Sequence, residues 1–443
     1  MLTFLGYAMV TTFMILIMTK RLAPLLALIL IPIIFGLIAG FSHELSPMML
    51  DGIRNLAPIG VMLLFAILFF GVMIDTGLFD PVVNRIVSLV KADPLKILLA
   101  TAALALFVSL DGDGSTAYMI TGAALLPLYR RLKLNPLYYC CLLMLASGIM
   151  NMTPWGGPTA RAASVLNVAP NALFLPMILP MIATAAWLFF AATLFGLKER
   201  KRLGYRPGTE AAKTADTEVK FAIRNEREEA FEEAKKPQSN YHRKMLPVNF
   251  LITALLMVAL VMNVLPLPVL FMIGFAIALI VNYPDPKDQR ERLAAHAGNA
   301  VSVAAMIFAA GIFTGILSGT GMVEAMAKNV TSWLPEALMP HMPIFIAAIS
   351  IPFTFFISND AFYFGIVPVL MQAAASHGFD SALIGRASLI GQQVHLLSPL
   401  VPSTYLLVGL AGVELGDHQR FTLPWALGAA VVMTLASLAV GAF

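Results

Sequence analysis

A chain of 443 residues with 59% hydrophobic and 12% charged side chains is far too apolar for a soluble domain, where about 25% of residues are charged. Its mean hydropathy of +0.82 belongs to a polytopic membrane protein, and the formal net charge of +4 is the Lys and Arg surplus that orients membrane helices, not a nucleic-acid surface. Cys140 and Cys141 are adjacent in an apolar run, which excludes a disulfide framework and a thiolate metal site, and the histidines are scattered without ligand spacing.

The first apolar run begins at Leu2 with no basic segment and no Ala-x-Ala cleavage site, so it reads as a retained helix over 2–19. Further runs of about 20 apolar residues, each enough to cross roughly 30 Å of hydrocarbon as a helix, follow at 22–40 and 56–76. The pair 96–110 and 117–129 is too short for two spans and predicts a re-entrant hairpin, because non-helical backbone at membrane depth needs protein or a wet cavity around it. A span over 137–168, broken at Thr153-Pro154-Trp155-Gly156-Gly157-Pro158-Thr159, and a continuous one over 171–196 complete a first half, 1–196. The charged stretch 197–245 reads as a solvated connector. The second half, 246–443, follows the same order. It has spans at 246–263, 266–282 and 299–320, a hairpin of 341–357 with 361–375, a span over 382–413 broken at Ser398-Pro399-Leu400-Val401-Pro402-Ser403-Thr404, and a last span over 421–441.

The halves match at nearly one offset: Pro24 with Pro268 and Thr76-Gly77 with Thr320-Gly321 at 244, Thr153-Pro154 with Ser398-Pro399 at 245, Asp113 with Asp360 at 247. Five spans per half start the second copy on the opposite side. The expected fold is therefore an all-α inverted repeat with one re-entrant hairpin and one discontinuous helix per half, the architecture of secondary transporters. Lys20, Arg21, Arg85, Lys91, Lys96, Arg130, Arg131, Lys133, the connector and Lys287 to Arg292 fall on one side, which the positive-inside rule makes cytoplasmic.

The acidic breaks carry the chemistry. An ionised Asp at mid-membrane costs at least about 2.5 to 3.5 kcal/mol, so Asp111, Asp113 and Asp360 must line a wet cavity, bind a cation or carry a proton. The bland alternative is a surface loop whose aspartates cap the next helix at Ser115. Helix starts after Asp113 and Asp360, at Gly156-Gly157 near Thr159, and near Thr404 turn N–H groups toward the cavity, which suits a small oxygen-rich anion. Ser115, Thr116, Thr153, Thr159, Ser358, Asn359, Ser398, Ser403 and Thr404 add hydroxyl and amide groups, either for a ligand or for backbone freed by the prolines. Arg161 is the cation nearest the first break, placed for a carboxylate of the ligand, for Asp111 or Asp113, or for the interface. His395 is either a titrating group or a neutral, hydrogen-bonded core histidine.

Met1-Leu2, Phe4-Leu5-Gly6, Met18 to Leu22 with Pro24-Leu25, Leu110 to Thr116, Asn151 to Arg161 and Ser358 to Gly365 together resemble the citrate-metal:proton symporter family of bacteria over essentially the whole chain. The resemblance implies uptake of citrate as a complex with a divalent ion of the Mg or Ca type, in symport with protons, with no permanently bound cofactor and no enzymatic activity. It also implies a multi-pass protein of the bacterial inner membrane and, by analogy, a homodimer. Dicarboxylate carriers of the wider ion transporter superfamily bear Ser-Asn-Thr hairpin tips. Gly114-Ser115-Thr116 and Ser358-Asn359-Asp360 depart from that pattern and point away from sodium. The breaks offer the oxygen ligands that hard cations take, and a metal would offset the repulsion between trianionic citrate and Asp113 or Asp360. Competing readings are a sodium-coupled di- or tricarboxylate carrier of the same fold, a channel, and an intramembrane aspartyl protease, whose aspartates would sit on regular helices.

Overall fold

The computed structural model describes residues 1–443 apart from 20, 90–92, 112–113, 206–239, 263 and 334–335. Among the described residues every element is helical. The first half runs α1 (Leu2–Met18), α2 (Pro24–Ile38), α3 (Leu45–Asp75), α4 (Asp80–Leu89), α5 (Pro94–Val108), α6 (Gly114–Arg131), α7 (Pro136–Met150), α8 (Gly157–Leu166) and α9 (Pro170–Arg202). The second runs α10 (Asn240–Val261), α11 (Leu267–Asn282), α12 (Pro286–Gly319), α13 (Met322–Trp333), α14 (Met342–Phe356), α15 (Val367–Ala375), α16 (Ser381–Leu389), the single turn α17 (Gln392–His395), α18 (Pro402–Ala411) and α19 (Leu415–Ala439).

Helix starts follow local chemistry. Asp93, Asn135, Asp285 and Asp380 each accept a hydrogen bond from the backbone N–H two residues on, which satisfies a donor that the first turn leaves orphaned. Asn135 and Asp380 are equivalent caps, 245 residues apart, on α7 and α16. The short helices α8 and α18 are both 10 residues long and end on left-handed residues, Asn167 at φ 52° and Gly412 at φ 68°, again 245 apart. This conformation closes a helix by turning its next N–H back onto the last carbonyls.

Several boundaries differ from the sequence reading. The helices α3 and α12 begin at Leu45 and Pro286, not at 56 and 299, because the polar residues at their starts are adequate helix formers and only lack the hydropathy of a span. The amphipathic helices α4 and α13 occupy stretches without a continuous apolar run. At the connector, α9 continues to Arg202. Arg200 there makes two hydrogen bonds to the buried carboxylate of Asp93, 2.7 and 2.5 Å, and buried Glu199 pairs with Arg202 at 2.5 Å. The rest of the connector, 206–239, lies outside the described residues. Among the described residues, five helices, α3, α9, α10, α12 and α19, are long and apolar enough to cross a membrane.

The pair α3 and α12 forms the most extensive helix contact and gathers α2 and α11 around it. Its closeness depends on glycine. A Cβ on Gly52 would stand 2.0 Å from the Gly311 carbonyl oxygen, and one on Gly315 would stand 2.3 Å from that of Met48. Gly311, Gly315 and Gly319 recur every fourth residue, the small-residue stripe by which membrane helices bring backbones together when no hydrophobic effect drives them. Gly52→Val is expected to destabilise the protein by about 3 kcal/mol or more, read as a lowered thermal midpoint of the detergent-solubilised protein, whereas Gly409→Ala, where a Cβ meets nothing within 4 Å, should leave it in place.

Candidate functional site

Both broken helices are held by the same device. After α7 stops at Met150, the Thr153 hydroxyl donates to the Met150 carbonyl, 2.9 Å, and the Thr159 hydroxyl reaches back to that of Asn151, 3.2 Å. In the second break the Thr404 hydroxyl donates to the Leu396 carbonyl, 2.5 Å, and Ser398 Oγ accepts from the Leu400 N–H, 3.2 Å. The Thr159 and Thr404 bonds are equivalent, each spanning eight residues. Gly156 is sterically required, since a Cβ there would lie 2.2 Å from the Asn151 carbonyl oxygen. Thr153, Thr159 and Thr404 thus spend their protons on freed backbone carbonyls. What they keep for a ligand is oxygen lone pairs, which suit a cation, and not donors for an anion.

Each break in turn holds a hairpin tip. The indole Nε1 of Trp155 donates to the Leu110 carbonyl, 2.7 Å, and Ser147 bonds Ser109, 3.2 Å. This supports the 3-10 turn Ser109–Asp111 between α5 and α6. Asp111 closes that turn and Ser115 and Thr116 lie in the first turn of α6. Asp113 lies outside the described residues. At the second tip, Ile357 is extended and Ser358 Oγ accepts from the Ala361 N–H, 3.1 Å. The Asn359 carboxamide oxygen accepts from Gln392 Nε2, 2.9 Å, which also donates to the Tyr363 hydroxyl, 3.1 Å. His395 Nδ1 faces the Thr354 carbonyl at 2.8 Å. Since a carbonyl only accepts, Nδ1 carries the proton. A π-helical turn, Ala361–Ile366, leads into α15. Such turns interrupt the regular hydrogen-bond ladder and cluster at functional sites.

Arg161 links the two halves. Its Nε donates to Asp360 Oδ1 at 2.7 Å, with side-chain exposures of 20% and 12%. The sequence reading offered Asp111 or Asp113 of the same half as its protein partners; the described partner lies 199 residues away, in the turn between α14 and α15. Spacing along one helix gives no access to such a contact. Among the described residues, the terminal Nη1 and Nη2 of Arg161 donate to no acceptor, and Gly157 leaves them space, since a Cβ there would stand 3.0 Å from Nη1. Ser403 lies in the first turn of α18 without a part in this cluster.

Sequence reasoning missed three supports. Gln392 fastens Asn359, Trp155 fastens the first hairpin, and Gln393 Nε2 donates to the Gly148 carbonyl, 3.1 Å and 245 residues away. Two adjacent buried amides in an apolar run, and a tryptophan between prolines, were the available signals. A separate cavity of about 630 Å³ lies between α3 and the starts of α9 and α11, lined by Asn55, Met62, Asn167, Asn171 and prolines with no charged side chain, so it does not suit a polyanion. No cluster of three or more metal-ligating side chains occurs among the described residues.

A bundle of apolar helices, two of them broken around a cross-half ion pair, has the build of a multi-pass membrane transporter. The Alcanivorax borkumensis YdaH transporter shares the fold, with a TM-score of 0.60 at 14% identity, over 90% of this chain and 88% of that one. So does Neisseria gonorrhoeae MtrF, described with a class of antimetabolite efflux pumps, at 0.56 and 14% over 89% and 83%. The chain belongs to the citrate transporter family, whose model matches residues 7–391; it is a family of transporters and not of enzymes. Two relatives from Bacillus subtilis (strain 168) match all of this chain and 99% of their own. One, named citrate transporter, is 54% identical over 441 residues, and the other, named Mg(2+)/citrate complex secondary transporter, is 50% identical over 444.

Trp155→Phe should remove the donor from the Leu110 carbonyl while keeping the ring contacts with Phe70 and Phe271. The expected cost is about 1 to 3 kcal/mol of stability, measured by thermal unfolding in detergent.

Proposed function

We propose that this protein takes up citrate as a complex with a divalent ion of the Mg or Ca type, in symport with protons. It works by alternating access between two halves related as an inverted repeat, each contributing one re-entrant hairpin. In this reading the protein is a homodimer of the bacterial inner membrane with the connector 197–245 in the cytoplasm. The observation that carries the reading is the Arg161–Asp360 pair, in which one hairpin tip is bound to the opposite half's broken helix at 2.7 Å. A fixed cation beside hydroxyl oxygens suits a cargo that bears both signs of charge, carboxylates for Arg161 and a metal for the oxygen lone pairs. The Gln393–Gly148 bond between positions 245 apart supports a two-fold axis through this region. Hydroxyl oxygens whose protons are already committed, with Asp111 and Asp113, would supply the hard oxygen environment that Mg²⁺ and Ca²⁺ prefer.

Uptake of radiolabelled citrate into proteoliposomes tests this, with Mg²⁺, Ca²⁺, Na⁺ and the pH gradient varied singly. Uptake should require a divalent ion and an inward proton gradient and ignore sodium. Uptake that survives chelation of divalent ions would sink the metal complex, and dependence on sodium would favour the sodium-coupled carrier instead. Arg161→Gln should lower uptake about 10- to 100-fold, as expected for losing a charged hydrogen bond to a carboxylate.

A further inference from the structure

We propose that Asp360 carries the coupling proton, and that it takes up that proton because a carboxylate of the cargo replaces it on Arg161. The inference rests on the citrate reading and assigns the coupling step within it. In the structure Arg161 Nε holds Asp360 Oδ1 at 2.7 Å, with both side chains largely withdrawn from solvent. Nη1 and Nη2 have no acceptor among the described residues. The guanidinium is therefore an anion site already half engaged by an internal carboxylate, with its second donor edge open beside Gly157. A cargo carboxylate that takes the Nε–Nη2 edge of the planar fork in bidentate fashion displaces Asp360 from Nε.

Charge then dictates the proton. With the site empty, Arg161⁺ and Asp360⁻ sum to zero. A citrate trianion holding one divalent cation adds one negative charge, so the loaded site is neutral only if Asp360 is protonated. Without the proton, an uncompensated carboxylate stays in the membrane at a cost of at least about 2.5 to 3.5 kcal/mol. The proton arrives from outside water on the displaced carboxylate. It leaves to the cytoplasm when the cargo departs and Arg161 takes the carboxylate back. Charges that do not change between the two states cancel from this balance.

Among the described residues packed against the turn that follows it, none takes this task from Asp360. The turn Ala361–Ile366 that follows it packs against α1, α8, α12 and α15. Arg161 is the one ionisable residue of α8, α15 has none, and α12 has none from Gly298 to Gly319. On α1 the ionisable group is Tyr7, bonded to the Met326 carbonyl and Asn329. Of the neighbours nearer the tip, Tyr363 accepts from Gln392 and His395 donates to the Thr354 carbonyl. The repeat supplies no second copy, because the position 245 residues after Arg161 is Leu406.

The test compares wild type, Asp360→Asn, Asp360→Glu and Arg161→Gln as purified full-length protein, using Mg²⁺-citrate as probe. By titration calorimetry, Asp360→Asn should bind Mg²⁺-citrate about tenfold tighter than wild type at pH 8, because the internal competitor for Arg161 is gone. Its affinity should be the same at about pH 5 and at pH 8, whereas that of wild type, which takes up a proton on binding, should weaken as the pH rises. In proteoliposomes Asp360→Asn should still exchange internal for external citrate but lose accumulation driven by the pH gradient at least about tenfold, because its empty site keeps an uncompensated positive charge. Asp360→Glu should restore pH-dependent binding, and Arg161→Gln should bind weakly at every pH. Weaker binding by Asp360→Asn, retained gradient-driven accumulation, or pH-independent binding by Asp360→Glu would each overturn the proposal. A wild type that ignores citrate but exchanges another polycarboxylate removes the citrate reading alone, and the same pH comparison with that anion then decides the role of Asp360.

Discussion

Breaking a helix inside a bilayer frees N–H and C=O groups that no water reaches, and every one of them has to find a partner within the protein. The Thr159 to Asn151 and Thr404 to Leu396 bonds show how this chain meets that demand twice with one solution, a hydroxyl one turn into the new helix reaching back over the gap. The breaks are then rigid enough to hold something else. Trp155 fixes the first hairpin tip and Gln392 the second. The arrangement is hierarchical, with prolines opening the helix, threonines closing its backbone, and larger side chains placing the acidic tips.

Electrostatics adds the Arg161–Asp360 bond, which joins the first broken helix to the second tip. A charged pair with exposures of 20% and 12% pays desolvation on both partners and is weak evidence for stability. A second type of charged pair serves a different purpose: Asp93 with Arg200 fastens the root of the first hairpin to the end of α9, where Glu199 and Arg202 pair one turn apart on the same helix. The glycine seam between α3 and α12 supplies the closely packed core against which these parts are held.

The helices with long apolar stretches were legible because hydropathy reports directly on the solvent a segment faces. The breaks were legible because proline cannot donate. Helix ends were less so: α3, α9 and α12 run beyond their apolar stretches, since polar residues continue a helix without raising hydropathy. The candidate residues at the breaks were found one by one, yet the hydroxyls of Thr153, Thr159, Ser398 and Thr404 proved to be bonded to backbone. A list of polar residues in an apolar chain cannot tell a ligand from a structural partner without knowing which carbonyl lies next to it.

By itself the sequence determined the solvent, the all-helical class, the positions of both breaks and the acidic character of the tips, because each follows from the composition and backbone chemistry of a short segment. Only the tertiary structure decided that Arg161 meets Asp360, that Gln392 and Trp155 hold the tips, and that Gln393 touches Gly148. Those contacts join segments that packing alone brings together, and nothing within either segment encodes which distant partner it will find.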